Sequence, residues 1–135
     1  MITYENEINT VIDKVASIIS TELTGVPLGF DQHRGNQSLL VVPQEDTVVE
    51  IMANGQVREY TILISYELAN TGQYSENNFK QISNVAEHIK RLFAPDNNST
   101  VSDYYFDGQV DGISYEREEN ANKALITLTA KRLEA

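Results

Sequence analysis

The sequence predicts an α+β fold: two helices packed on one face of a mainly antiparallel or mixed sheet of four to five strands, in the order α-β-ββ-α-ββ. Three observations predict it. Two segments space apolar residues as i, i+3, i+4 and i+7, the stripe of a helix that buries one side. Several extended runs are rich in β-branched and aromatic residues, and the longest alternate apolar with polar. Short turns, Asn54-Gly55 above all, join neighbouring runs closely enough to pair antiparallel.

The first helix is expected over residues 3–24. Its stripe is Ile8, Val11, Ile12, Val15, Ile18, Ile19 and Leu23. Glu5 and Glu7 stand in the first turns, where negative charge favours the helix dipole. Gly25 is expected to take a left-handed cap, and Pro27 forbids continuation. Residues 30–37 carry Asp, Arg, Gly and Asn, which is loop chemistry. A strand is expected over 38–42, ended by Pro43. A hairpin follows, with residues 47–52 leading out and 57–68 returning. Asn54 and Gly55 are expected to supply the positive φ values of a type I′ turn. In the return strand Tyr60, Ile62, Ile64, Tyr66 and Leu68 share one face, expected to be buried. Thr61, Leu63, Ser65 and Glu67 share the other, expected to be half-exposed.

Residues 69–74 form a polar link. Ser75 is the expected N-cap of a second helix that runs to about residue 93. Its stripe is Phe79, Ile82, Val85, Ala86, Ile89, Leu92 and Phe93, and Pro95 stops it. Lys90 and Arg91 occupy the last turn, where the dipole favours cations. The last extended runs are 101–116 and 124–133. The first contains Asp107-Gly108 and Asp111-Gly112, which predict a bulge or break. No linker divides residues 1–135, which are expected to form one domain.

Composition narrows the function classes. At 135 residues the chain can bury roughly two-thirds of its unfolded surface. It has no cysteine, so no disulfide framework, thiol nucleophile or cysteine zinc site is available. The first residues lack the basic and apolar regions of a secretory signal, and no run approaches the length of a membrane span. A soluble, cytosolic product without membrane contact is expected. Twenty Asp and Glu against ten Lys and Arg give a net charge of −10. With the bases scattered, binding to a phosphate backbone is disfavoured.

Motifs for chemistry are missing. There is no phosphate-cradling glycine loop and no nucleophile elbow. His33 and His88 are the only histidines, and each reads as a polar surface or boundary residue. Asp103, Asp107 and Asp111 recur every fourth position but lack the alternate spacing of a calcium loop. Neighbouring acids such as Glu45 with Asp46, or Glu116 with Glu118, are what an acidic chain produces by chance. No enzyme activity, metal or cofactor is expected. Tyr74, Tyr104 and Tyr105 fall near element ends, where a tyrosine can bury its ring in a subunit contact and keep its hydroxyl wet.

In size and element order the chain resembles the tail terminator, or tail completion, proteins of tailed bacteriophages and related particles. The resemblance runs from the acidic first helix through Asn54-Gly55 and the long return strand. It continues through the helix Asn78-Phe79-Lys80-Gln81-Ile82-Ser83-Asn84-Val85-Ala86-Glu87-His88-Ile89 and the run Gly108-Gln109-Val110-Asp111-Gly112-Ile113-Ser114-Tyr115. It implies a virion protein assembled in the host cytoplasm. Such a protein forms a homo-oligomeric ring, commonly a hexamer, that caps the tail tube, ends its polymerisation and meets the head connector or neck proteins. DNA would pass through without specific binding, which suits an acidic wall. The loop of Asp31, His33 and Arg34 and the link ending at Tyr74 are the expected subunit contacts, with Tyr104 and Tyr105 beside them. Three alternatives compete: a head-completion or neck protein, an acidic adaptor covering a basic partner, and a small-molecule binder or enzyme on the same scaffold.

Overall fold

The computed structural model describes residues 6–30, 37–69, 75–94, 104–117 and 121–134. In chain order the elements are α1 (Glu7–Glu22), β1 (Leu28–Gly29), β2 (Gln37–Met52), β3 (Gly55–Ala69), α2 (Ser75–Leu92), β4 (Phe106–Arg117) and β5 (Ala121–Glu134). This is an α+β fold in the expected order. The strands form one mixed sheet, ordered β1-β2-β3-β5-β4. Only β1 and β2 run parallel; every other neighbour is antiparallel.

The central strand is β3, and its period of two organises the core. Tyr60, Ile62, Ile64, Tyr66 and Leu68 are all buried. Cross-strand partners share a face. Leu39 and Val41 therefore join Tyr66 and Ile64 from β2, and Ala124, Ile126, Leu128 and Ala130 join them from β5. Both helices cover this face: α1 lies against β2, and α2 against β3 and β5. Val11, Ile12, Val15 and Ile19 of α1 meet Ile82, Ala86 and Ile89 of α2 in one cluster with the sheet residues. Each fully buried aliphatic side chain contributes on the order of 1.5–3 kcal/mol.

Local chemistry explains the element ends, in three places differently from the sequence expectation. Asn6 caps α1 by accepting a hydrogen bond from the Asn9 N–H at 3.0 Å. At the other end Leu23 is the C-cap, its N–H donating to the Ile19 carbonyl at 2.8 Å. A turn from Leu23 to Val26 then redirects the chain, and Gly25 does not adopt a positive φ. The left-handed cap expected at Gly25 is therefore replaced by this turn.

Pro43 does not end a strand. The expected strands 38–42 and 47–52 are one continuous β2, and the additional strand is the short β1. The Leu39 N–H donates to the Pro27 carbonyl on the β1 side. Successive N–H groups alternate sides, so position 43 also faces away from β3, where a missing donor removes no ladder bond. A bulge between Pro43 and Glu45 adjusts the pairing immediately afterwards.

The hairpin turn also moves. Leu39 pairs with Tyr66, and β2 gains one residue at each of two register shifts, Pro43/Glu45 and Val48/Glu50. That arithmetic closes the ladder at Met52 with Gly55 and leaves Ala53-Asn54 as the loop. Asn54 has no positive φ, since Asp107, at 51°, is the only described non-glycine residue that does. Register set in the core has overridden the local type I′ preference.

Both Asp-Gly pairs of β4 coincide with register shifts, Phe106/Gln109 and Val110/Gly112, where the sequence expects a bulge. In α2, Glu87 accepts from Lys90 at 2.6 Å and Arg91 at 2.9 Å. Those hydrogen bonds hold its carboxylate below the usual range.

Ile64→Ala is expected to lower the unfolding free energy by about 2–5 kcal/mol, since it opens a cavity at the centre of the sheet. Pro43→Ala is expected to change it by less than about 1 kcal/mol, chiefly through the unfolded chain. Urea titrations followed by circular dichroism measure both, and equal losses would refute the edge-facing placement of Pro43.

Candidate interaction surface

The sheet has two faces, and among the described residues the helices cover one of them. On the face opposite the helices, β2 contributes Leu40 and Val42, β3 contributes Leu63, and β5 contributes Leu125 and Thr127, all half-buried. Ser38, Ser65 and Thr129 lie between them, small enough to be buried by their neighbours. No described helix or strand packs over this band. Around it stand the acids Glu45, Glu59, Glu67 and Glu116 and the bases Lys123 and Lys131. Lys123 and Glu67 are paired at 4.0 Å.

Beyond the helices the β2–β3 hairpin continues as an arm. Val48 is 48% exposed, Val49 50%, Ile51 79% and Met52 38%. Leu133 on the adjoining end of β5 is exposed as well. The sequence reading missed this cluster. Its signal was present: within 47–52 the apolar residues occupy both parities of the strand, so no single covered face can bury them all.

A polar network anchors the base of the arm. The register brings Asp46, Arg58, Tyr60, Arg132 and Glu134 onto the helix side of the sheet. Arg58 Nε donates to Asp46 Oδ1 at 2.6 Å and lies 3.6 Å from Glu134 Oε2. The Tyr60 hydroxyl donates to the same Glu134 oxygen at 2.7 Å. Arg132 joins the first turn of α1 through Glu7 and donates from Nη1 to the Tyr104 carbonyl at 2.7 Å. These pairs are partly solvated, so their role is to fix orientation more than to add stability.

Of the expected contact residues, Tyr104 is 39% exposed, its ring beneath the Lys14 ammonium at 4.8 Å. Tyr105 is 3% exposed and belongs to the hydrophobic core. Asp31, His33, Arg34 and Tyr74 lie outside the described residues, as does Asp103. His88 is exposed on α2, with Nε2 3.8 Å from Glu22 Oε2.

Groups for chemistry do not converge among the described residues. No three His, Asp or Glu side chains are placed to hold a metal ion. A shallow groove of about 460 Å³ between α1 and β1 is lined by Asp13, Ser17, Ser20, Leu23, Thr24 and Phe30, with Asp13 as the one ionisable side chain among its described lining residues. No described helix is long and apolar enough to cross a membrane.

No protein-family model matches this chain, and no curated protein does. The functional reading rests on the surface itself.

Three tyrosines report on the integrity of this architecture. Burial raises the pKa of Tyr105 to about 12, against 10.0 for a free phenol. Tyr60 is raised by burial and then by its bond to Glu134, and Tyr66 by burial, opposed by its contact with Gln81. A folded-state pKa above the unfolded value contributes stability that is complete below pH 10 and is lost as pH rises through the folded pKa. Tyrosinate absorbance at 295 nm is thus expected to rise in two stages, the second coinciding with loss of circular dichroism above about pH 12. A single stage near pH 10 with the fold intact would contradict the burial. Tyr60→Phe, which removes the bond to Glu134, is expected to cost about 0.5–1.5 kcal/mol in the same urea assay.

Proposed function

We propose that this chain is a structural subunit of a tailed-phage particle. It assembles into a ring, commonly a hexamer, that caps the tail tube, ends its polymerisation and joins it to the head connector. It acts through contacts, not catalysis, and reaches the virion after assembly in the host cytoplasm. One observation carries the reading: most of the exposed large apolar side chains among the described residues lie on the arm and the sheet edges, and Phe30 is the one of them that lines the groove beside α1. Val48, Val49, Ile51 and Met52 lie on β2, and Phe106 and Tyr115 on β4. Apolar groups at the margins of a sheet fit a molecule whose partners are protein surfaces.

Charge supports the same reading. By the register the open sheet face carries Glu45, Glu50, Glu59, Glu67 and Glu116 against Lys123 and Lys131 among the described residues. A wall with that excess repels phosphates, and DNA passing by it would slide without being held. Subunits that each carry −10 also repel one another. Salt screens this repulsion, so the ring should form more readily as ionic strength rises.

The expected result is a discrete oligomer by light scattering whose fraction increases between 50 mM and 500 mM salt, roughly a threefold fall in Debye length. Electron micrographs should show it at the ends of tail tubes. A chain that stays monomeric at high concentration and ignores tube ends would overturn the proposal. Binding to the connector before any tail is present would reassign the chain to head completion.

A further inference from the structure

The outer edge of β2 is paired over a short stretch. β1 covers Leu39 and Leu40, and no described strand covers β2 beyond them. The arm therefore presents a row of backbone N–H and C=O groups to solvent, and such a row is a template for another strand. Four exposed apolar side chains, Val48, Val49, Ile51 and Met52, line this stretch. The edge is also held in place before any partner arrives. β3 pairs with β5 along its whole length, and the Asp46–Arg58–Glu134–Tyr60 network ties the arm to β5. Binding to such an edge costs little ordering of the receptor.

Charge decides what can add to it. Residues 44–52 hold Glu45, Asp46 and Glu50 and no Lys or Arg. Asp46 is engaged by Arg58, whereas Glu45 and Glu50 have no ion-pair partner among the described residues. The opposite edge of the same sheet, β4, holds Asp107, Asp111 and Glu116 against Arg117 alone. A second copy would bring acid to acid at either edge. Pro43 and its bulge blunt the root of the edge, and the acids repel like-charged strands. Together they guard the edge against copies of this chain and leave it open to a strand of opposite sign.

We propose that the β2 edge over residues 45–52 binds an extended, basic segment of a different protein by strand addition. The segment alternates Lys or Arg with β-branched residues. Its backbone completes the ladder, its cations face Glu45 and Glu50, and its apolar side chains cover Val48 and Ile51. This site does not depend on the ring reading, since a chain that forms no ring can still accept the strand.

The probe is a nine-residue peptide alternating lysine with valine and threonine, beside a counterpart with glutamate in place of lysine. Fluorescence anisotropy measures binding, and amide hydrogen exchange locates it on the full chain. The expected result is binding of the lysine peptide that slows exchange within 45–52 and weakens about tenfold or more on raising salt from 50 mM to 500 mM. The glutamate peptide should not bind. Glu45→Lys combined with Glu50→Lys, both solvent-exposed positions, should reverse the preference. No binding of the lysine peptide to the unaltered protein overturns the proposal, as does binding that protects other residues or persists unchanged in the reversed variant. Concentration-dependent protection of 45–52 without peptide would show that copies of the chain occupy the edge, and overturns the choice of partner.

Discussion

The pairing of Leu39 with Tyr66, and of Tyr66 with Ala124, is the constraint on which the rest of this structure depends. Side chains alternate faces along a strand, so a slip of one residue would carry Tyr60, Ile62, Ile64 and Tyr66 from the helices to the open face. The buried stripes of α1 and α2 would then have no apolar surface to cover. The same register propagates outward. It aligns Arg58 with Arg132, brings Asp46 beside Tyr60, and decides after two bulges which residues turn the hairpin. The polar network at the base of the arm is thus a consequence of core packing, and in turn it orients the arm.

A sheet with, among the described residues, one covered face and two open edges carries an obligation. The central band of the open face meets it with small hydroxyl residues and half-buried aliphatics, a surface neither fully wet nor fully dry. The edges meet it with Pro43, bulges and acids, the devices by which strands avoid random pairing. The distal arm does not meet it, since four large apolar side chains remain in water there. Exposed apolar area on an otherwise guarded edge is the feature that most needs a partner to explain it. Both functional proposals draw on it, one through contact with other protein surfaces of the particle and the other through a basic strand.

Charge works against stability and for selectivity. A net charge of −10 on 135 residues adds self-repulsion to the folded state. The partly solvated pairs at the arm and along α2 offset little of it. On both proposals the role of the excess is discrimination, by repulsion of like-charged edges and phosphates and attraction of basic surfaces. Among the described residues no cluster of acids is arranged to hold a metal, and the acids are spread over the helices, the edges and both faces of the sheet. That distribution fits a molecule whose charge acts on surfaces.

The helices and the central strand were legible in the sequence because burial leaves a periodic trace. Ile82, Ala86 and Ile89 mark α2, and Tyr60 through Leu68 mark β3. The two Asp-Gly pairs foretold the irregular β4, since their preference for turns and bulges is local. The Asn54-Gly55 turn was misread for the opposite reason, a local preference of under a few kcal/mol yielding to a register set by the core, and at Gly25 a turn from Leu23 to Val26 stands where the cap was expected. Pro43 was read as a stop because a sequence does not say which side of a strand an N–H faces. Tyr105, expected near a contact, belongs to the core, and the apolar arm escaped notice because exposure depends on which strands extend past the helices. The sequence by itself determined the fold class, the element order and the acidic, cysteine-free chemistry, all of which follow from residue type and spacing. Only the tertiary structure decided that β2 runs unbroken into an arm with an open edge, because that depends on how far each neighbouring strand reaches.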